Sequence, residues 1–144
     1  MLICMSNLLQ TMAGAGVVVR YAHMELAQPD IARGFADCVE GGATDVVVFP
    51  YMLSPGRHST ADIPRMVAAA ARAFPQVTFS VTPAFGVNEK LAELILDRSG
   101  VEIVAAFDGA EADRCWDPAC SKKLCGDACR AKTARQTALP GGTS

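Results

Sequence analysis

Three times along this chain an apolar, β-branched run gives way to a short loop and then to a helical pattern, and this repetition restricts the fold more than any other feature. The first unit predicts a strand over residues 16–22, a loop over 23–29 and a helix from Asp30 to Glu40, closed by Gly41-Gly42. In the second, a strand over 45–51 precedes the loop Leu53-Ser54-Pro55-Gly56-Arg57-His58. There, Ser59-Thr60-Ala61-Asp62 has the spacing of a capping box ahead of an alanine-rich helix reaching Phe74. The third runs from a strand over 76–82 through Pro83-Ala84-Phe85-Gly86 to a helix over 88–98. Apolar runs this continuous are buried on both faces, and strand–helix alternation with short connections builds a parallel sheet. The expected class is therefore α/β, a parallel sheet with flanking helices. Ahead of it, residues 6–13 read as the back half of a helix with no strand leading into it.

The chain has 144 residues and is 51% hydrophobic, enough for one core. Its formal charge is −2, and no basic stripe interleaves with aromatics, so a nucleic-acid partner is not expected. The longest apolar run, residues 46–53, is broken by Pro50 and falls short of the roughly 18 residues of a membrane span, so a membrane partner is not expected either. Residues 1–16 lack the basic start of a signal peptide and the Arg and Ser enrichment of a transit peptide.

In an open parallel sheet, ligands bind beyond the carboxyl ends of the strands, where the three strand-to-helix loops emerge. Both histidines of the chain, His23 and His58, fall in two of these loops, and Glu25 accompanies the first. Two imidazoles and a carboxylate on one edge would suit a borderline divalent metal such as ferrous iron, cobalt or zinc. Spacing alone favours the plainer reading of solvated loop histidines, because no His-x-x-His or His-Glu-x-x-His pair is present. Gly56 and Gly86 fit tight turns at strand exits, while glycine also lets backbone approach a large planar ligand.

Four segments carry a more specific signal: Ala22-His23-Met24-Glu25-Leu26-Ala27, Val48-Phe49-Pro50-Tyr51-Met52-Leu53-Ser54-Pro55-Gly56-Arg57-His58, Asp62-Ile63-Pro64 and Pro83-Ala84-Phe85-Gly86. In this order and spacing the chain resembles the small class II sirohydrochlorin chelatases over residues 6 to about 100, and its first segment is most similar to the plant and algal sirohydrochlorin ferrochelatase type. The resemblance implies a chelatase-like fold in flavodoxin-like strand order and a lyase that inserts ferrous iron, its substrate metal, into sirohydrochlorin to give siroheme. It implies that His58 binds the metal and accepts pyrrole protons, that Glu25 faces the same cleft, and that His23, Gly56 and Gly86 border the macrocycle. It further implies a homodimer, in the chloroplast stroma for a plant or algal source and in the cytoplasm otherwise. Family members begin with a strand ending in a His-Gly-Ser-Arg type loop, whose histidine is a second metal ligand. No such histidine precedes Ser6, so that strand and half of the metal pair are expected to be missing, leaving the strands over 16–22 and 45–51 without a shared neighbour. Two alternatives stay open: a catalytically impaired tetrapyrrole- or metal-binding relative, and a cobaltochelatase.

Composition shifts after Gly100, and the reading divides the chain into a chelatase-like domain over 1–107 and a cysteine-rich tail over 108–144. Of six cysteines, Cys115, Cys120, Cys125 and Cys129 crowd into fifteen residues, a ligand cluster rather than a disulfide framework. Four thiolates suit an iron–sulfur cluster or tetrahedral zinc, and free or redox thiols are the third reading. Plant-type relatives carry a [2Fe-2S] cluster in such a tail with a different spacing, so the resemblance implies the role and not the individual ligands.

Overall fold

The computed structural model describes residues 1–104, and within them the chain forms two compact units. The first comprises Met1–Pro50 and Arg57–Thr82, the second Tyr51–Gly56 and the described residues from Pro83 onward. The boundary expected at residue 107 and the cysteine tail lie outside the described residues.

In the first unit, α1 (Leu2–Ala13) is followed by an extended segment, α2 (Ile31–Glu40), β1 (Asp45–Val48), a π-helical turn (His58–Asp62) continuous with α3 (Ile63–Ala71), and β2 (Thr78–Val81). The sheet is parallel, with Asp45 opposite Thr78 and Val48 opposite Val81, so the expected α/β class with a parallel sheet and flanking helices is what forms. Two strands alone do not define a flavodoxin-like order. Local chemistry explains the start and end of α2. The Asp30 carboxylate caps its first turn by accepting from the Arg33 amide at 2.8 Å, and Gly42, with φ of 93°, turns the chain out of the helix.

The core of this unit is small. Ile31 and Phe35 of α2, Val46 of β1, and Ile63, Val67 and Ala71 of α3 are buried, Val67 completely. The Phe35 ring stacks on Phe74 at 5.8 Å and meets Phe79 edge-on at 6.3 Å, so one side chain joins α2, the end of α3 and β2. No helix among the described residues is long and apolar enough to cross a membrane.

Two expectations change. The strand predicted over 16–22 forms no ladder, and the isolated bridge between His23 and Asp30 lies just past its end. Strand propensity needs a neighbour to become a strand, and here the Gln10 side chain of α1 stands in for one. Its Nε2 donates to the Val17 carbonyl at 2.7 Å and its Oε1 accepts from the Val19 amide at 2.8 Å. One amide thereby engages a C=O and an N–H two residues apart, the pair that a residue of a parallel neighbour would use. The capping box is also displaced: helical structure begins at His58, so Ser59 lies inside the π turn rather than ahead of the helix.

The second unit is built on a short backbone pairing. Phe85 and Gly86 amides donate to the Met52 and Leu53 carbonyls, both at 3.0 Å, and the Tyr51 and Phe85 rings meet edge-to-face at 5.3 Å. Helix α4 (Glu89–Arg98) follows, its start capped by Asn88, whose side chain accepts from the Lys90 amide at 2.9 Å.

Helix α2 lies hard against the extended segment. A Cβ at Gly34 would sit 2.8 Å from the Ala22 Cβ and 3.3 Å from the Tyr21 carbonyl oxygen. Gly34→Ala should gain about 1 kcal/mol in helix propensity and lose more to overpacking, which costs about 1–3 kcal/mol. The expected result in urea denaturation is a less stable protein, and an Ala variant as stable as wild type would show that this contact gives way freely.

Candidate functional site

His58 opens the π turn that leads into α3, and its imidazole is 59% exposed. Its Nδ1 lies 3.1 Å from Asp62 Oδ2, one helical turn further on. Asp62 is the most enclosed member of this group, at 19% exposure, and three cationic or imidazole groups surround it. Arg65 approaches Oδ1 at 3.5 Å, and Arg57 and His58 approach Oδ2 at 3.9 and 3.1 Å. Such ion pairs between exposed arginines and a carboxylate contribute little stability; their consequence is positional.

The other residues expected at the site come from the loop between Ala22 and Asp30. The His23 amide donates to the Pro29 carbonyl at 2.7 Å and closes the loop at its neck, and the His23 ring packs edge-on against Tyr21 at 5.9 Å. Inside that neck Gln28 Oε1 accepts from the Asp30 amide, and Leu26 takes a left-handed φ of 66° with its side chain fully exposed. Glu25 lines a cleft of about 720 Å³ between this loop and α3, together with Met24, Ile31, Met66, Ala69 and Ala70. The cleft is predominantly apolar, with Glu25 and Asp30 as its acidic groups, the mixture typical of a small-molecule site.

The structure does not gather His23, Glu25 and His58 into a ready ligand set. Among the described residues no group of three or more His, Cys, Asp or Glu side chains is placed to hold a metal ion. His23 and Glu25 belong to one loop, whereas His58 is tied to Asp62 at the head of α3. The two glycines also separate. Gly86 has φ of 60° and needs its glycine for the turn, as expected. Gly56 has no such backbone, and a Cβ added there would meet nothing within 4 Å, so a tight turn does not account for it.

Sequence reasoning missed Asp62 as the partner of His58, although the i, i+4 spacing was visible. Nothing in the sequence marked Met66, Ala69 and Ala70 as a cleft wall, because an alanine-rich helix face reads as core. Outside these groups, burial pushes the Cys38 thiol above its ordinary range, with Arg20 opposing and Asp37 adding to the shift. Cys4 is exposed. Cys115, Cys120, Cys125 and Cys129 lie outside the described residues.

The family model CbiX matches residues 4–101. A sirohydrochlorin ferrochelatase of the chloroplast from Arabidopsis thaliana is 39% identical over 98 residues, which are 68% of this chain and 43% of that protein. A sirohydrochlorin cobaltochelatase from Priestia megaterium is 36% identical over 84 residues, 58% of this chain and 28% of that protein. Among solved structures, SirB from Bacillus subtilis with Fe3+ superposes at a TM-score of 0.55 with 32% identity, over 60% of this chain and 35% of that one. The sirohydrochlorin chelatase SirB from B. subtilis subspecies spizizenii, in complex with cobalt, gives 0.53 and 31%, over 59% and 38%. The chain thus spans less than half the length of the relatives it matches, but the match covers most of the described residues. On these grounds the chain belongs to the CbiX family of class II sirohydrochlorin chelatases.

Proposed function

We propose that this chain acts as a sirohydrochlorin ferrochelatase, a lyase that inserts ferrous iron into sirohydrochlorin and releases siroheme. The observation that carries this reading is the family match over residues 4–101, which spans both the Glu25 loop and the His58 turn. Inserting a divalent metal into a tetrapyrrole displaces two N–H protons, so the site needs a group that is both a ligand and a base near neutral pH. A neutral imidazole is both. His58 is the exposed imidazole that opens the turn leading into α3, and in this reading it first binds the iron and then, once the metal has passed to the macrocycle, accepts a pyrrole proton on the freed nitrogen. Glu25, in its apolar cleft, supplies a carboxylate for the second proton or for the incoming cation. His23, Gly56 and Gly86 are assigned to substrate binding on the family resemblance of their motifs.

The same reading includes a homodimer, the arrangement of the small chelatases it resembles, and a location in the chloroplast stroma for a plant or algal source and in the cytoplasm otherwise, the chloroplast relative from Arabidopsis supporting the first. Cobalt insertion is the second reading, favoured by the Priestia cobaltochelatase, since imidazole and carboxylate ligands discriminate iron from cobalt poorly. The tail cysteines Cys115, Cys120, Cys125 and Cys129 are proposed to hold a [2Fe-2S] cluster, with four thiolates as its ligands.

Anaerobic incubation of the chain with sirohydrochlorin and Fe2+ or Co2+, followed by absorbance, tests the activity. Iron insertion should be the faster, and His58→Ala should slow it about 100-fold or more, the usual scale for losing a general base. Retained sirohydrochlorin binding without turnover would instead identify a binding relative. For the tail, anaerobically purified protein should show visible absorbance and a reducible EPR signal that vanish when the four cysteines become serine; stoichiometric zinc in a colourless protein would refute the cluster.

A further inference from the structure

We propose that Asp62 is a positioning residue that selects the tautomer of His58 and thereby presents Nε2 as the open nitrogen of the site. A carboxylate has no hydrogen to give, so a 3.1 Å contact between Asp62 Oδ2 and His58 Nδ1 is attractive only when Nδ1 carries the proton. In the neutral ring the lone pair then resides on Nε2. The opposite tautomer would set a nitrogen lone pair against a carboxylate oxygen. Three further observations point the same way. Asp62 is far less exposed than its partner, 19% against 59%, so the carboxylate is the fixed member and the imidazole the outward arm. Arg65 on Oδ1 and Arg57 near Oδ2 hold the carboxylate from two sides. Finally, residues 58–62 form a π turn, in which the Ile63 amide reaches back to the His58 carbonyl. This rare geometry occurs often at functional sites, and here it stacks the two side chains across one turn.

The arrangement is the one by which carboxylates orient metal-binding histidines, and losing such a partner typically costs about 10–100-fold in metal affinity. The metal part of this inference rests on the chelatase reading of His58, whereas the tautomer part does not. Because His23 is the only other histidine, a His23→Gln variant assigns the ring signals of His58 without ambiguity.

The test uses the full chain, 15N-labelled, with long-range 1H–15N correlation at mildly alkaline pH. Wild-type His58 should show a protonated Nδ1 and an unprotonated Nε2. Asp62→Ala should move the ring toward the Nε2–H form, and Asp62→Asn, whose amide oxygen still accepts, should retain Nδ1–H. Titration with Co2+, read from the paramagnetic shift of the His58 ring signals, should show affinity at that ring weakened about 10–100-fold in Asp62→Ala and less in Asp62→Asn. A purely structural Asp62, serving Arg57 and Arg65, would leave the tautomer of the Ala variant unchanged, and that result overturns the proposal. So does an Nε2–H ring in the wild-type protein, a reading that needs no variant to fold. If the tautomers behave as expected but Co2+ leaves the His58 ring signals unperturbed, the pairing stands and His58 loses its role as ligand.

Discussion

The Phe35 contacts hold together everything that shapes the site in the first unit. The ring joins α2 to Phe74 beyond α3 and to Phe79 of β2, while Val67 and Ile63 bury the opposite helix face. With α2 and α3 fixed in this way, the loop from Met24 to Gln28 stands over Met66, Ala69 and Ala70 and a cleft opens beneath it. The same packing settles the orientation of the His58 turn, because that turn is continuous with α3. A core of so few buried residues leaves little surplus stability, so the geometry of the site is as secure as the contact of these two helices.

The extended segment over 16–22 shows what happens to strand-forming sequence without a strand beside it. Its valines carry high β-propensity, yet backbone hydrogen bonding is obligatory and no ladder reaches this segment among the described residues. Gln10 satisfies one C=O and one N–H, and Gly34 lets α2 approach closely enough to cover the other side. Extended conformation therefore survives where a formal strand does not.

The site combines an enclosed carboxylate, an exposed imidazole and a separate acidic cleft. His58 takes its direction from Asp62, and Glu25 takes its apolar surroundings from the alanine face of α3. The two environments differ: the imidazole is largely exposed, and the carboxylate lines a cleft with Met24, Met66, Ala69 and Ala70. The family match over residues 4–101 spans both.

By itself the sequence determined the parallel α/β class, the approximate spans of α2 and α4, and the family, because each depends on local pattern: strand–helix alternation, Gly41-Gly42 as a stop, and four motifs in order. It also set His23 and Glu25 in the loop ahead of α2, whereas His58, expected in a loop, opens the π turn. Only the tertiary structure decided that Gln10 would stand in for the neighbour missing beside residues 16–22, that Ser59 would enter a π turn, that Gly56 would face open space, and that Asp62 would govern His58. The physical reason is that propensity and capping act over a few residues, whereas ladder pairing, cleft walls and the choice of hydrogen-bond partner depend on which distant segments are brought into contact.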